Sequence, residues 1–252
     1  MKNLILYILC YLFSLSVSAE GDVQALKAKA DKAYSFERYE EAIPIYKEII
    51  QDGESADVYY NLGNCYYRLD DIAQSILWYE RAYLLNPGDA DLRVNLQLAR
   101  SKTVDKIVPE EELFFVRWYH SLLNMMSVNA WIWTGIIFFV VMQVCLLLYF
   151  FGQRMVVRKS GFYCAIVLFV FVVMSNVFAI QQRGRQQNRD GAVVVESSVA
   201  VKSTPADAGT DLFLLHSGTS MKIIDQSMQD WYQIRLSDGK EGWISAKAIE
   251  VI

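Results

Sequence analysis

The sequence predicts a multidomain membrane protein with three parts: an α-solenoid of helix-turn-helix repeats, a transmembrane helical hairpin and a small all-β barrel. Three observations predict this fold class. Residues 20–108 contain an internal repeat with helical periodicity, two long apolar runs follow at 130–151 and 161–180, and short β-rich runs fill 192–252. Each apolar run is close to the roughly 20 residues that a helix needs to cross a bilayer. We therefore expect two soluble domains joined through a membrane hairpin.

The amino terminus has the features of a secretory signal peptide. Lys2 precedes an apolar stretch from Leu4 to Val17, which is short for a membrane span. Ser18 and Ala19 complete the small-residue pattern that signal peptidase tolerates. Residues 1–19 are therefore predicted to be a signal peptide, and the domain that follows is expected outside the cytoplasm.

Small and aromatic residues recur with one spacing in the first soluble domain. The first copy returns 33 residues further along the chain, where Ala30, Ala42 and Tyr46 correspond to Gly63, Ser75 and Tyr79. Small residues let the two helices of a pair approach closely, and the tyrosines fill the gap to the next pair. This pattern resembles the tetratricopeptide repeat, with units at 23–55 and 56–89 and a capping helix at 89–106 that closes the stack.

The first helix of each repeat carries the candidate peptide-binding side chains. A carboxamide both donates and accepts hydrogen bonds, so a row of asparagines can hold the main chain of an extended peptide, while basic and aromatic residues add selectivity. The candidates are Lys27, Tyr60, Asn61, Asn64, Tyr67, Arg68 and Asn95. The alternative is that each asparagine only bonds a neighbouring helix.

The segment between the two predicted spans has the charge pattern of a short cytoplasmic loop. Residues 152–160 include Arg154, Arg158 and Lys159 and no acid. Both soluble domains are then expected on the opposite side of the membrane. Within the first span, Gln143 is predicted to hydrogen-bond another subunit or a partner, or alternatively to bond its own backbone as a lone amide.

Two linkers flank the hairpin. Residues 109–128 begin with Pro109 and three glutamates and continue with Phe114, Phe115 and Trp118 among few charges. This segment is either an amphipathic stretch in the membrane interface or an extension of the first span. Residues 181–191 form the second linker, whose three arginines lie on the side predicted to be external and oppose the predicted orientation.

The last domain contains turn-separated β-rich runs. These runs are predicted at 192–202, 219–225, 231–236, 242–245 and 248–252, with Asp238-Gly239 as a hairpin turn. The string His216-Ser217-Gly218-Thr219 and the later Gly242-Trp243-Ile244 are similar to the bacterial Src-homology-3-like domain. Trp231, Tyr232 and Trp243 are the candidate residues of a groove for a peptide or peptidoglycan. The alternative places Trp243 in the barrel core and Trp231 over its edge.

Composition and residue spacing argue against a nucleic-acid-binding protein and against an enzyme. The net charge is −4, and the basic residues are scattered along the chain. The two histidines, His120 and His216, lie in different parts of the chain, and no cysteine stands at a metal-ligand spacing. No nucleophile has a recognisable neighbouring base. We therefore expect a non-enzymatic protein without a cofactor or metal.

The order of signal peptide, repeats, two spans and terminal barrel resembles the Bat (Bacteroides aerotolerance) membrane proteins of the BatE type. The resemblance implies a scaffold or adaptor in a Bat-type envelope complex, with partners that carry von Willebrand factor A domains and a link to aerotolerance or envelope stress. The implied location is the bacterial inner membrane, with the lipid bilayer around the hairpin and the N- and C-terminal domains in the periplasm. The alternative function is an extracytoplasmic sensor that passes a ligand or cell-wall signal to a membrane partner.

Overall fold

Five helices form the N-terminal domain of the computed structural model, which describes residues 23–252. They are α1 (residues 23–35), α2 (Tyr39–Ile49), α3 (Ala56–Arg68), α4 (Ile72–Leu85) and α5 (Ala90–Ser101). Ser55, Asp71 and Asp89 cap the N-termini of α3, α4 and α5 with their side chains. The predicted signal peptide, 1–19, lies outside the described residues.

The contact between α3 and α4 shows why the repeat needs small residues. A Cβ atom at Gly63 would stand under 3.0 Å from three atoms of the buried Tyr79 ring. The hydroxyl of Ser75 donates a 2.9 Å hydrogen bond to the Gly63 carbonyl in the same contact. These two positions therefore allow α3 and α4 to pack at short range.

Helix α5 is shorter than the predicted capping helix and ends at Ser101. Beyond it, Lys106 Nζ donates 2.7 Å hydrogen bonds to the carbonyls of Ser101 and Thr103. These bonds satisfy carbonyls that a continuing helix would have used, so the chain leaves as an extended stretch. Residues 102–110 are called the connecting segment below.

Helices α6 (Phe114–Leu123), α7 (Val128–Phe151) and α8 (Met155–Asn188) follow. Gly135 faces Ser175 near one end of the hairpin and Gly161 faces Cys145 near the other, so α7 and α8 are antiparallel. Both helices are long and apolar enough to cross a membrane, and only 11% and 22% of their most apolar windows are buried within the chain. Such exposed apolar surface indicates membrane association.

Helix α8 extends past both predicted ends of the second span, 161–180. The predicted loop, 152–160, contains only a short turn at residues 152–154, and most of the predicted linker, 181–191, is helical. Neither extension contains proline, and glutamine and arginine favour the helix. The helix stops only where Arg189 adopts a left-handed backbone, with φ of 31°.

The linker before the first span forms a separate helix, α6, rather than an extension of α7. A turn at residues 124–127 separates the two helices, and the Ser127 side chain accepts from the Ala130 N–H at the start of α7. The interpretation of this segment as an extension of the span is therefore wrong. Trp131 Nε1 and Gln182 Nε2 both donate to the Leu123 carbonyl, at 3.1 and 2.5 Å, and hold α6 against the hairpin.

The C-terminal domain is a seven-stranded antiparallel sheet. Its strands are β1 (Gly191–Val194), β2 (Ser198–Lys202), β3 (Asp211–His216), β4 (Ser220–Asp225), β5 (Trp231–Arg235), β6 (Glu241–Ser245) and β7 (Ile249–Val251), in the spatial order β3-β2-β6-β5-β4-β1-β7. The core includes Val201, Leu215 and Ile234. With the helical repeats and two membrane-capable helices, this sheet confirms the predicted fold class.

Three strands, β1, β2 and β3, differ from the sequence prediction. The run predicted at 192–202 divides into β1 and β2, because the N–H groups of Val195 and Glu196 bond the Ala248 carbonyl and redirect the chain. Strand β3 was missed. Its continuous apolar sequence lacks the alternation of a half-buried strand, since Leu212 and Leu214 are exposed beside the inward-facing Leu215.

The C-terminal sheet packs on helix α4 of the repeats. Buried Val193 and partly buried Ile252 join the hydrophobic cluster of the N-terminal domain. Arg81 Nη2 donates a 2.6 Å hydrogen bond to the Val251 carbonyl, and Gln74 Nε2 donates to Glu250 at 2.9 Å. The edge strand β7 is thereby covered by α4, which blocks further strand pairing at that edge.

The connecting segment runs from the repeats across one end of the sheet. Thr103, Asp105 and Ile107 alternate in burial with the exposed residues between them. Ile107 packs against the core of the sheet, and the Glu110 N–H donates a 2.9 Å hydrogen bond to the Ser237 carbonyl. This extended stretch is therefore a second attachment between the two soluble domains.

Candidate peptide-binding site

A cavity of about 390 Å³ lies between α1, α3 and α5. Five of the seven candidate peptide-binding residues line it: Tyr60, Asn64, Tyr67, Arg68 and Asn95. The other lining residues, which sequence reasoning did not assign to this site, are Tyr34, Tyr79 and Leu98. The helical spacing of the repeats thus brings most of the predicted side chains to one place.

A network of amides and phenols forms one wall of this cavity. Asn64 Oδ1 accepts hydrogen bonds from the Tyr79 hydroxyl at 2.6 Å and from Asn95 Nδ2 at 3.1 Å. Asn95 Nδ2 also donates to the Tyr60 hydroxyl at 2.8 Å. Burial raises the pKa values of Tyr60 and Tyr79, so both phenols stay protonated at neutral pH.

These two asparagines keep hydrogen-bonding groups that the helices do not use. Within residues 23–252, Asn95 Oδ1 has no hydrogen-bond partner, and Asn64 Nδ2 has at most the neighbouring Tyr60 hydroxyl, so at least one of its two N–H groups is open. One donor and one acceptor are what the main chain of an extended peptide can pair with. Each asparagine therefore bonds a neighbouring helix and also keeps one group that a ligand can use.

Lys27 and Asn61 do not line the cavity and instead contact Asp31. Asp31 Oδ1 accepts from the Tyr46 hydroxyl at 2.6 Å and from Asn61 Nδ2 at 3.3 Å, and Lys27 Nζ lies 3.4 Å from Oδ2. The expected continuous row of asparagines is therefore interrupted, because a carboxylate on α1 takes the amide of Asn61. The spacing of Lys27 and Asp31, one helical turn, was the signal for this pairing.

The residues that the sequence prediction missed have recognisable signals. Tyr34 stands 33 residues before Tyr67 and occupies the same repeat position. Leu98 follows Asn95 by three residues and so shares its helix face. Tyr79 was expected only to fill a gap between helices, but its hydroxyl reaches Asn64.

Basic residues border the cavity on one side. Arg68 is exposed. Lys102 Nζ lies 4.3 Å from the centre of the Tyr67 ring and 3.2 Å from Asp70 Oδ1. A cation near a tyrosine face is attracted to the ring, which holds the lysine close to the cavity. This border favours ligands with acidic groups near an apolar or aromatic side chain.

The three candidate groove residues of the C-terminal sheet lie on two different faces. The register pairs Gln233 with Trp243 and Tyr232 with Ile244. Tyr232 packs against the core beside the buried Ile244, whereas Trp231 and Trp243 are half-buried on the other face. The interpretation of Trp243 as a core residue is therefore wrong, and Tyr232 is separated from the two tryptophans.

Gln143 is exposed on α7 and makes no hydrogen bond to any other residue in the described part of the chain. Two polar residues of α8 behave differently. Ser175 Oγ and Asn176 Nδ2 each donate 2.8 Å hydrogen bonds to carbonyls one turn earlier, those of Phe171 and Val172. The backbone-bonded arrangement considered for Gln143 is thus present at Asn176.

Redox and metal chemistry have little support in the described region. Burial raises the pKa of the Cys65 thiol to about 12, which keeps it protonated and unreactive. Among residues 23–252, no group of three or more histidine, cysteine or acidic side chains is placed to hold a metal ion.

Two family models match separate parts of the chain. Residues 56–89 match the tetratricopeptide repeat, and residues 197–250 match the bacterial SH3 domain. The chain carries both domains. A search of curated proteins found no significant match. These domains are typically non-catalytic and bind proteins or peptidoglycan, and no enzyme family is indicated.

Proposed function

We propose that this protein is a membrane-anchored scaffold that binds a segment of a partner protein outside the cytoplasm. The observation that carries this proposal is the cavity between α1, α3 and α5, with its open amide groups and basic border. The C-terminal domain packs on α4 instead. The surface that presents the candidate residues is therefore accessible to a partner.

The binding mode follows from the groups at this cavity. Asn64 Nδ2 donates to a peptide carbonyl, and Asn95 Oδ1 accepts from a peptide N–H. The rings of Tyr34 and Tyr67 pack against an apolar or aromatic side chain, and Arg68 attracts a neighbouring acid. A short extended segment with mixed apolar and acidic residues satisfies all of these groups.

The orientation of the membrane hairpin is part of the proposal. Arg154, Arg158 and Lys159 gather at the α7–α8 turn, which we place in the cytoplasm. At the other end, Arg189 pairs with Glu54 and Arg185 Nη1 lies 3.4 Å from Asn124 Oδ1. Protein contacts therefore account for two of the arginines that oppose this orientation.

The order of the domains supports membership in the Bat proteins of the BatE type. On this proposal the partner is another protein of a Bat-type envelope complex, with a von Willebrand factor A domain, and the complex serves aerotolerance or the response to envelope stress. The bacterial SH3 domain adds a second binding module, for peptide or peptidoglycan, on the same side of the membrane.

Affinity purification of the full chain from membranes, followed by mass spectrometry, tests the proposal. Arg68→Ala removes a charge from the border of the cavity, and Arg93→Ala removes one from an exposed site on α5 outside it. We expect Arg68→Ala to lower recovery of the partner and Arg93→Ala to leave it unchanged. Equal recovery of the partner with the unchanged protein and with both variants would place the partner's binding site elsewhere on the chain.

A further inference from the structure

A second cavity, of about 580 Å³, lies where the repeat domain meets the hairpin. Its walls include Glu54 from the repeats, Asn129 and Ile132 from the start of α7, and Arg183 and Gln186 from α8. Gln186 Nε2 donates a 3.0 Å hydrogen bond to the Leu84 carbonyl, which ties α8 to α4 beside the cavity. The repeat domain and both helices of the hairpin therefore build this site.

The cavity lies at the boundary between apolar and polar surface. Arg183 follows the end of the predicted span, Ile180, by three residues, or about 4.5 Å along the helix. On α7, Ile132 and Trp133 are 42% and 65% exposed. Tryptophan is enriched where hydrocarbon meets headgroups. The apolar wall of the cavity thus continues into the lipid-facing surface of α7.

The polar wall of the cavity favours an anion. Arg183 forms no ion pair with any acid in residues 23–252. Glu54 is the one acid among the described residues that line the cavity, and it pairs with Arg189 and accepts a hydrogen bond from the Tyr59 hydroxyl. The positive charge of Arg183 is therefore left without a counter-charge.

The start of α7 adds donors to this charge. The Ser127 hydroxyl accepts a hydrogen bond from the Ala130 N–H, and the Ser127 carbonyl accepts one from the Trp131 N–H. The N–H groups of Val128 and Asn129 precede the first intrahelical hydrogen bond and have no partner within the helix. Backbone donors at a helix N-terminus favour phosphate, and Val128 and Asn129 line the same cavity as the unpaired Arg183.

We propose that this cavity binds the phosphate-bearing headgroup of an anionic membrane lipid. Arg183 and the first N–H groups of α7 contact the phosphate, Asn129 and Gln186 contact the remaining headgroup oxygens, and the acyl chains pass Ile132 along α7. A free phosphate would use the same donors but leave the apolar wall unoccupied. The proposal rests on α7 and α8 lying in a membrane and is independent of peptide binding.

Lipid retention by the full chain tests this site. The protein is reconstituted in nanodiscs of equimolar phosphatidylglycerol and phosphatidylcholine, transferred to mild detergent and examined by native mass spectrometry. We expect retained phosphatidylglycerol to fall at least tenfold in Arg183→Gln, which is about 1.4 kcal/mol. Arg183→Lys should retain an intermediate amount, because a single ammonium replaces the forked guanidinium.

Arg185→Gln is the matched control, because it removes the same charge from the same helix outside the cavity. Equal retention by Arg183→Gln and the unchanged protein, or equal loss in both variants, would overturn the proposal. Addition of inorganic phosphate at constant ionic strength distinguishes a lipid headgroup from free phosphate as the ligand. Displacement of the lipid by phosphate alone would assign the site to a free phosphate. Partner capture by Arg183→Gln should be unchanged.

Discussion

Asp105 Oδ1 lies 2.8 Å from the ring Nδ1 of His216, and Asp105 Oδ2 accepts a 2.7 Å hydrogen bond from the His216 backbone N–H. The Thr219 hydroxyl donates to the same Oδ2 at 2.7 Å. Asp105 belongs to the connecting segment, and the other two residues border the turn between β3 and β4. One carboxylate therefore joins the repeats to the C-terminal sheet.

Asp105 should make stability depend on pH in a defined direction. Burial raises its pKa, but the hydrogen bonds from Thr219 and His216 lower it by more, so the net pKa lies below the ordinary value of 3.8. A native pKa below the unfolded value contributes stability above about pH 4, which is lost as the pH falls further. Asp105→Asn should lower the free energy of unfolding by about 1–3 kcal/mol at neutral pH.

Thermal unfolding of both proteins in detergent, from neutral pH to about pH 3, measures this contribution. The gap in Tm between the unchanged protein and Asp105→Asn should narrow as the pH falls below about 4. Asp207→Asn, at an exposed position of the β2–β3 loop, is the control and should change little. A gap that stays constant with pH would rule out an ionised Asp105 as its source.

The sequence predicts that Asn61 and Asn95 act together, but their substitutions should differ in their effects on partner capture and on the free energy of unfolding. Asn95→Ala removes the open acceptor at the cavity together with the hydrogen bonds to Tyr60 and Asn64, and it should weaken partner capture at least tenfold, about 1.4 kcal/mol. Asn61→Ala removes a hydrogen bond to Asp31 and should lower the free energy of unfolding by about 1 kcal/mol without changing capture. Capture and Tm are measured on the same preparations, and identical behaviour of the two variants would contradict the division.

Gly63→Ala should destabilise the repeats by about 1–3 kcal/mol, because the added methyl group overlaps the buried Tyr79 ring. Gly53→Ala is the matched control, since a Cβ there meets nothing within 4 Å. Denaturant unfolding compares the two variants. Equal free energies of unfolding for the two variants would show that the α3–α4 contact accommodates the added methyl group without loss of stability.

Reporter fusions test the proposed orientation. A reporter after Val108 and one after Ile252 should both indicate export, while one near Arg154 should indicate the cytoplasm. The physical reason is the retention of basic loops on the cytoplasmic side. A cytoplasmic signal at either soluble domain would contradict the hairpin orientation.

Gln143→Leu should reduce recovery of an assembled complex in mild detergent, if this exposed amide bonds a neighbouring subunit or partner helix. Hydrogen bonds between membrane helices contribute about 0.6 to 2 kcal/mol. Asn176→Leu is the comparison, because its amide already bonds the Val172 carbonyl, and recovery there should be unaffected. Unchanged recovery with Gln143→Leu would leave the amide without an assembly role.

Local periodicity predicted the parts of the cavity that depend on one helix or one repeat. Tyr60, Asn64, Tyr67 and Arg68 lie on α3, and Asn95 follows at the repeat interval. Side chains at such spacings share a helix face whatever surrounds them. Their convergence could therefore be predicted from the sequence alone.

Contacts between distant parts of the chain were not predictable in the same way. The capture of Asn61 depends on Asp31 in another helix, and the partners Asp105 and His216 are separated by 111 residues. Strand β3 also lacks a local pattern. These features depend on how completed elements pack, and hydrophobic periodicity carries no information on that packing.

The uninterrupted course of α8 determines how the soluble domains move. The helix is 34 residues long, or about 51 Å, and leads into β1 through Arg189 and Asp190 alone. Domains on a flexible tether sample a volume, whereas these domains travel and rotate with the hairpin. With the hairpin in the membrane, as proposed, an encounter with a partner in the same membrane is a two-dimensional search, and its frequency depends on surface density rather than on linker length.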